Sequence, residues 1–173
     1  MEKGEPGIMD RPPRPVGEPI INREMLIGIT VQSITMTVAV LASYLLSGVH
    51  VGAKLDDPNL PTWQTVAFAT LTLSELFRAF TARSERISVF KLGFFSNKTM
   101  NYAVLFSIAF VLAVIYLPFM NVIFGTEPLA LIDWVWILPF ALLASVAAEL
   151  TKIYLRARAN KIDTALKAQM ELA

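Results

Sequence analysis

Glu75 is a carboxylate that could bind a ligand or an ion, because it lies in the otherwise apolar stretch TLTLSELFRAF. Thr72 precedes it by one helical turn and Arg78 follows it by almost one turn, so a helix would place the three on overlapping faces. A carboxylate oxygen facing the interior of a helix bundle is the kind of hard ligand that Ca²⁺ accepts. The same spacing also fits an ion pair between Glu75 and Arg78. Both interpretations are open at this point.

A second pair of charged residues lies in another apolar stretch, Glu149 with Lys152 three residues later. An acid and a base at this spacing predict a structural ion pair on a helix. The sequence contains no cysteine, no Gly-rich phosphate loop and no Ser/His/Asp set, so it offers no pattern for nucleotide hydrolysis or nucleophilic catalysis. We therefore expect no catalytic residue, no cofactor and no nucleic-acid partner for this chain.

The elements that must position these residues are membrane-spanning helices. Hydrophobic residues make up 55% of the 173 residues, and they fall in blocks of about twenty, the length that crosses the hydrocarbon of a bilayer. The blocks predict an all-α, multi-pass integral membrane protein, with four transmembrane helices in an antiparallel bundle within residues 23–158. The predicted spans are residues 25–46, 62–81, 99–118 and 134–155.

The positive charges predict the orientation of these helices. Of the fifteen Lys and Arg residues, only Lys54 lies between spans one and two or between spans three and four. Cytoplasmic loops carry the excess of positive charge in membrane proteins. Both termini and the middle loop are therefore expected in the cytoplasm, with residues 1–22 as a Pro-rich cytoplasmic loop and residues 159–173 as an amphipathic cytoplasmic tail. Four aromatic residues would then lie at the outer interface: Trp63, Tyr116, Trp134 and Trp136.

Four stretches of the sequence resemble the C-terminal membrane module of P-type cation pumps, especially the calcium-ATPases. IMDRPPRPVGEPII (residues 8–21) resembles the loop between the sixth and seventh membrane helices of those pumps. SELFRAFTARSERISVF (74–90) resembles the end of the eighth helix and the loop after it, and FFSNKTMNYAV (94–104) the entry to the ninth. PLALIDWVWILPFALLASVAAELTK (128–152) is similar to the tenth helix. The resemblance runs in order over nearly the whole chain.

This resemblance implies that the four helices form the support domain of a ten-helix pump. The partners of the chain would be the other membrane helices of that pump, its phosphorylation, nucleotide-binding and actuator domains, and the lipid bilayer. The motifs DKTGT and TGE of those cytoplasmic domains do not occur in the sequence. We therefore expect a fragment that is not catalytic alone, and the resemblance leaves open whether the chain counts as an enzyme. The parent pump would use Mg-ATP and transport Ca²⁺.

The resemblance also assigns roles to particular residues. Glu75 falls on the eighth-helix position that contributes an ion ligand in calcium pumps of the sarcoplasmic-reticulum type, which implies a metal ligand here, with Thr72 beside it. Arg78 departs from the family pattern, because those pumps have an uncharged residue at this position. The loop that would couple the membrane helices to the phosphorylation domain contains Asp10, Arg11, Pro12, Pro13 and Arg14.

The sequence therefore predicts the C-terminal membrane domain of an ATP-driven cation pump, with Ca²⁺ as the expected ion. The alternative is a freestanding four-helix membrane scaffold or accessory subunit that binds no ion. The short loops favour a prokaryotic plasma membrane as its location.

Overall fold

A computed structural model of the chain describes residues 17, 19, 21, 23–50, 60–84 and 87–171. Every regular element within this part of the chain is a helix. In chain order the helices are α1 (Arg23–His50), α2 (Leu60–Thr81), α3 (Val89–Leu92), α4 (Lys98–Tyr116), α5 (Pro118–Phe124) and α6 (Leu131–Glu171).

Three of the described helices are long and apolar enough to cross a membrane, over Met25–Gly48, Lys98–Tyr116 and Leu131–Arg158. The prediction of an all-helical, multi-pass membrane protein is confirmed at this level. α2 coincides with the second predicted span, and its 22 residues are about 33 Å long at 1.5 Å per residue. α2 is more polar than those three helices, and it is not among the helices that are apolar enough to cross a membrane by composition alone.

The end of α1 packs closely against the start of α2, so these two helices run in opposite directions. A Cβ atom at Gly48 would lie 3.2 Å from the ring of Trp63, which explains why a glycine stands at this contact. Tyr44 meets the same ring edge to face at a centroid distance of 6.1 Å. Trp63, which we predict at the outer interface, is only 5% exposed and packs against α1.

The core joins the first half of α2, the second half of α4 and the start of α6. Because the end of α4 meets the starts of both other helices, α4 runs opposite to α2 and α6. The directions of the long helices therefore alternate along the chain, as an antiparallel bundle requires. The core cluster consists of Val66, Ala69, Leu73, Val111, Ile115, Leu129, Ile137 and Ala141.

The third predicted span ends earlier than expected, and the loop after it contains a helix that we did not predict. Leu117, with φ −87° and ψ 121°, leaves the helical conformation after Tyr116, as the residue before a proline tends to do. Pro118 then occupies the first turn of α5, where its missing N–H costs no hydrogen bond. Gly125 ends α5 in the left-handed conformation, with φ 64°.

α6 is one continuous helix of 41 residues. At 1.5 Å per residue it is about 60 Å long, about twice the thickness of the hydrocarbon core. The predicted boundary between the support domain and the tail at residues 158 and 159 is therefore no break in the helix. Side chains after Arg158 lie outside the described residues, and the amphipathic pattern of the tail stays a prediction.

Hydrogen bonds tie the loop before α6 to α2 and α4. The Tyr116 hydroxyl donates to the Leu129 carbonyl at 3.1 Å and accepts from the indole N–H of Trp134 at 2.8 Å. The Glu127 carboxylate accepts from the Thr62 hydroxyl at 2.8 Å. These contacts satisfy polar groups at one end of the bundle, which we call the loop end.

We expect Tyr116→Phe to lower the free energy of unfolding by about 1–3 kcal/mol, because it leaves the Leu129 carbonyl and the Trp134 N–H without this partner. The measurement is the melting temperature of the detergent-solubilised chain, read by size-exclusion chromatography after heating. The matched control is Tyr102→Phe, since Tyr102 is 71% exposed. Equal melting temperatures for the two variants would contradict the prediction.

Candidate functional site

α2 has a buried face that is polar and yet satisfied within its own backbone. Thr70 and Ser74 are fully buried. The Thr70 hydroxyl donates to the Val66 carbonyl at 2.8 Å, and the Ser74 hydroxyl donates to the Thr70 carbonyl at 2.7 Å. Such bonds to the preceding turn allow small hydroxyl residues to be buried in a helix. This face of α2 packs against the neighbouring helices, so the opposite face of α2 points away from them.

The opposite side of α2 is an uncovered strip that runs from one end of the helix to the other. Its members recur every three or four residues, so they share one helical face, and none of them is buried. We call this face the open strip. It consists of Gln64, Phe68, Leu71, Glu75 and Arg78.

Glu75 and Arg78 form an ion pair on the open strip. One guanidinium nitrogen, Nη1 of Arg78, lies 3.2 Å from Oε2 and 3.4 Å from Oε1 of Glu75. The Glu75 side chain is 49% exposed and the Arg78 side chain is 42% exposed. An ionised carboxylate has about four lone-pair sites, so this contact leaves acceptor capacity on Glu75.

Thr72 lies one turn before Glu75 and is partly buried. Its hydroxyl donates to the Phe68 carbonyl at 2.8 Å, and the hydroxyl oxygen still has lone pairs with which to accept. The two residues predicted to bind an ion are thus near neighbours on one helix. They supply one carboxylate and one hydroxyl.

These two residues do not make a complete metal centre. Within the described residues, no group of three or more His, Cys, Asp or Glu side chains is arranged to hold a metal ion. Calcium takes about six to eight oxygen ligands. A calcium ion at Glu75 would need most of its oxygens from outside this part of the chain.

The second predicted pair is buried. Nζ of Lys152 lies 2.9 Å from Oε1 of Glu149, and the two side chains are only 10% and 12% exposed. The same ammonium donates to the backbone carbonyl of Thr81, the last residue of α2, at 2.6 Å. The Ser88 side chain and the Val89 N–H lie near the Glu149 carboxylate, whose Oε2 is buried without a hydrogen-bond partner among the described residues. The bonds of Lys152 join α6 to the end of α2.

Sequence reasoning found the Glu149–Lys152 pair and missed the contact with Thr81. The pair follows from a spacing of three residues on one helix. Thr81 is 71 residues from Lys152 along the chain, and its carbonyl group belongs to the backbone. No residue type marks such a contact in the sequence.

Arg83 makes hydrogen bonds to the segment between α2 and α4. Its guanidinium donates to the Gly93 carbonyl at 2.9 Å and to the Ser96 hydroxyl at 2.7 Å. We predicted Arg83 only as one of the positive charges that set orientation, because neither partner is marked by spacing. Three aromatic rings, those of Phe80, Phe90 and Phe94, pack together beside this segment.

The residues predicted to couple the membrane helices to a phosphorylation domain lie outside the described residues. The structure therefore places none of this set, which comprises Asp10, Arg11, Pro12, Pro13 and Arg14.

Comparison with known proteins gives a family and several relatives. The family described as "Cation transporting ATPase, C-terminus" matches residues 1–154. The calcium-transporting ATPase type 2C member 2 of Mus musculus is 32% identical over 144 residues, which are 83% of this chain and 15% of the relative. Calcium-transporting ATPase 1 of Yarrowia lipolytica is 30% identical over 160 residues, 92% of this chain and 17% of the relative. The chain thus spans 15–17% of the length of these relatives.

The two ion pairs predict different losses of stability. Lys152→Met should lower the free energy of unfolding by about 3–5 kcal/mol, because it leaves the buried Glu149 carboxylate without its charged partner. Arg78→Met should lower it by about 0–1 kcal/mol, as is usual for an exposed pair. The measurement is the melting temperature of each variant chain reconstituted in lipid nanodiscs. A loss for Arg78→Met as large as that for Lys152→Met would show that burial does not distinguish the pairs.

Proposed function

This chain belongs to the family of cation-transporting ATPase C-terminal domains, and on this premise we propose that it supports the transport core of an ATP-driven Ca²⁺ pump. In this proposal the chain contributes one carboxylate to the ion path and catalyses no reaction on its own. Calcium is the cargo. The choice of ion is supported by the relatives, which are named as calcium-transporting ATPases.

The open strip of α2 is the observation that carries the proposal. If α2 crosses the membrane, an uncovered strip would expose Glu75 and Arg78 to lipid. A charged side chain at the centre of a bilayer costs about 2.5–3.5 kcal/mol even on insertion scales, and ionisable residues in spans therefore face protein or water. We infer that further helices of the pump cover the open strip, and that Glu75 lies between them and α2.

The proposed architecture has four spans, with α2 as the fourth in addition to the three apolar helices, and both termini in the cytoplasm. Two observations support it. The length of α2 suffices for a span, and the directions of the four long helices alternate. The distribution of Lys and Arg supports the orientation, and in this orientation the loop end, with Tyr116 and Glu127, would face the outer side.

Glu75 and Thr72 are the proposed ligands from this chain, and the remaining oxygens of the ion site come from the helices that cover the open strip. Arg78 occupies the Glu75 carboxylate while no cation is bound. A calcium ion at Glu75 competes with this guanidinium for the same oxygens. In this proposal Arg78 weakens the affinity of the site for the ion, and it stabilises the carboxylate when the site is empty.

The proposal extends to the cytoplasmic side of the pump. The loop from Asp10 to Arg14 would transmit motion between the membrane helices and a phosphorylation domain, since a proline-rich segment is stiff. Mg-ATP would bind to domains outside this chain. The location is the plasma membrane of a prokaryote, which rests on the short loops alone, because the relatives described above come from a mammal and a fungus.

The second candidate function is a membrane scaffold or accessory subunit that binds no ion. The ion pair between Glu75 and Arg78 favours it, because the pair gives Glu75 a partner without any cation. The two functions make different predictions for Arg78: its exchange should change Ca²⁺ transport if Glu75 binds the ion, and should leave transport unchanged if the chain is a scaffold.

We expect Glu75→Gln to raise the Ca²⁺ concentration for half-maximal transport by about tenfold or more. Loss of one charged interaction is worth about 1.5–3 kcal/mol, and about 1.4 kcal/mol corresponds to a factor of ten. Arg78→Gln should lower that concentration, because it removes the competitor for the carboxylate. The measurement is ATP-driven uptake of calcium-45 into vesicles that contain the full pump with this chain as its C-terminal module.

The control variant is Asp133→Asn, which also exchanges a carboxylate for an amide. Asp133 accepts a hydrogen bond from the Ala130 N–H at 2.8 Å near the start of α6, at the loop end, and an asparagine keeps an acceptor there. Its uptake should equal that of the wild type. If Glu75→Gln and Arg78→Gln both left uptake unchanged, the ion-ligand role would be wrong and the scaffold would be favoured.

A further inference from the structure

We propose that Lys152 is a positioning residue for the ion-binding helix: by holding the last carbonyl of α2 it sets the affinity of the pump for its cation. This inference rests on the proposed function, because it concerns the helix that carries Glu75. It assigns to Lys152 a role beyond its ion pair with Glu149.

The contact with Thr81 gives a hydrogen-bond partner to a carbonyl group at the C-terminal end of α2. The last carbonyls of a helix have no partner within the helix, and a cation near this end is favoured by the helix dipole. Nζ of Lys152 donates to the Thr81 carbonyl at 2.6 Å, and this contact is buried. A buried ammonium at this distance restrains both the rotation of the last turn of α2 and its position along the helix axis.

The turn that Lys152 holds contains the partner of Glu75. The Thr81 hydroxyl donates to the Arg78 carbonyl at 3.1 Å, and the Ala82 N–H donates to the same carbonyl at 2.8 Å. The Arg78 side chain lies 3.2 Å from the Glu75 carboxylate. Hydrogen bonds and one ion pair therefore connect Lys152 to Glu75 through Thr81 and Arg78.

Glu75 lies six residues before Thr81, which is about 9 Å along the helix axis at 1.5 Å per residue. A rotation or shift of the last turn would move Arg78 with respect to the carboxylate and would tilt the carboxylate with respect to neighbouring helices. Since ion ligands must be held closely in position, such a change alters affinity before it alters the fold.

Glu149 gives the ammonium a fixed direction. It pairs with Lys152 at 2.9 Å, and Ser88 and Val89 at the start of α3 approach its carboxylate. The cluster thus joins the end of α2 to the middle of α6. Lys152 contacts α2 directly through its bond to the Thr81 carbonyl.

The test measures Ca²⁺-activated ATP hydrolysis by the full pump with this chain as its C-terminal module. Because Lys152→Met alone leaves a buried carboxylate unpaired, the main variant is the double exchange Lys152→Met with Glu149→Gln, which removes the donor to Thr81 and leaves no lone charge. We expect the Ca²⁺ concentration for half-maximal activity to rise roughly threefold to tenfold, the range typical of residues that act through packed contacts.

The maximal rate per phosphorylated enzyme should stay at the wild-type value. A purely structural role would do the opposite, since it would lower the amount of active pump and leave the half-maximal concentration unchanged. Lys152→Arg, which keeps a charged donor, should return that concentration toward the wild type. The matched control is Thr151→Val, because the Thr151 hydroxyl donates to Ala147 within its own helix at 2.8 Å.

The outcomes separate the inference from the proposed function. A higher half-maximal concentration in both Glu75→Gln and the double variant supports the inference. A shift in Glu75→Gln alone overturns it and leaves the proposed function in place. No shift in Glu75→Gln overturns both.

Discussion

The rest of the structure depends on one constraint, that polar groups of a membrane-spanning helix must find partners inside the protein. The buried hydroxyls of α2 meet it by donating to the preceding turn, as Thr70 and Ser74 do. The last carbonyl of α2 meets it through Lys152. On the open strip Glu75 and Arg78 meet it by pairing with each other, although both side chains stay about half exposed. The chain spans 15–17% of the length of its relatives, and under the proposed function further helices would cover this strip.

Features of the chain that depend on local sequence could be predicted, and those that depend on distant contacts could not. The helices follow from runs of apolar residues, and Asn97 caps α4 as its position suggests, by accepting from the Met100 N–H. The open strip was visible in principle, because its members recur at helical spacing. The contacts of Lys152 with Thr81 and of Tyr116 with Leu129 required the packing of separate helices. The ion-binding role of Glu75 stays a prediction, because most of the necessary ligands belong to other segments.

The two acid–base pairs show how little spacing says about energy. Both pairs have the acid three residues before the base, and both form on helices. Glu75 and Arg78 are about half exposed, whereas Glu149 and Lys152 are almost fully enclosed. The difference arises from which face of each helix the neighbouring helices cover. An exposed pair can exchange its partner at small cost, which would suit the proposed role of Glu75 as a ligand that accepts and releases a cation. A buried pair cannot exchange its partner at small cost, which suits a lasting contact between two helices.

The continuity of α6 has a mechanical consequence. Lys152 and the last residue of the helix, Glu171, belong to one rod and are 19 positions apart, which corresponds to about 28 Å. If the rod pivots at the Lys152 joint, a tilt of about 5° would displace the far end by about 2.5 Å. Under the proposed function, a protein bound to the far end of α6 would act on a lever that pivots at the contact with α2, and small torques applied there would reach the helix that carries Glu75.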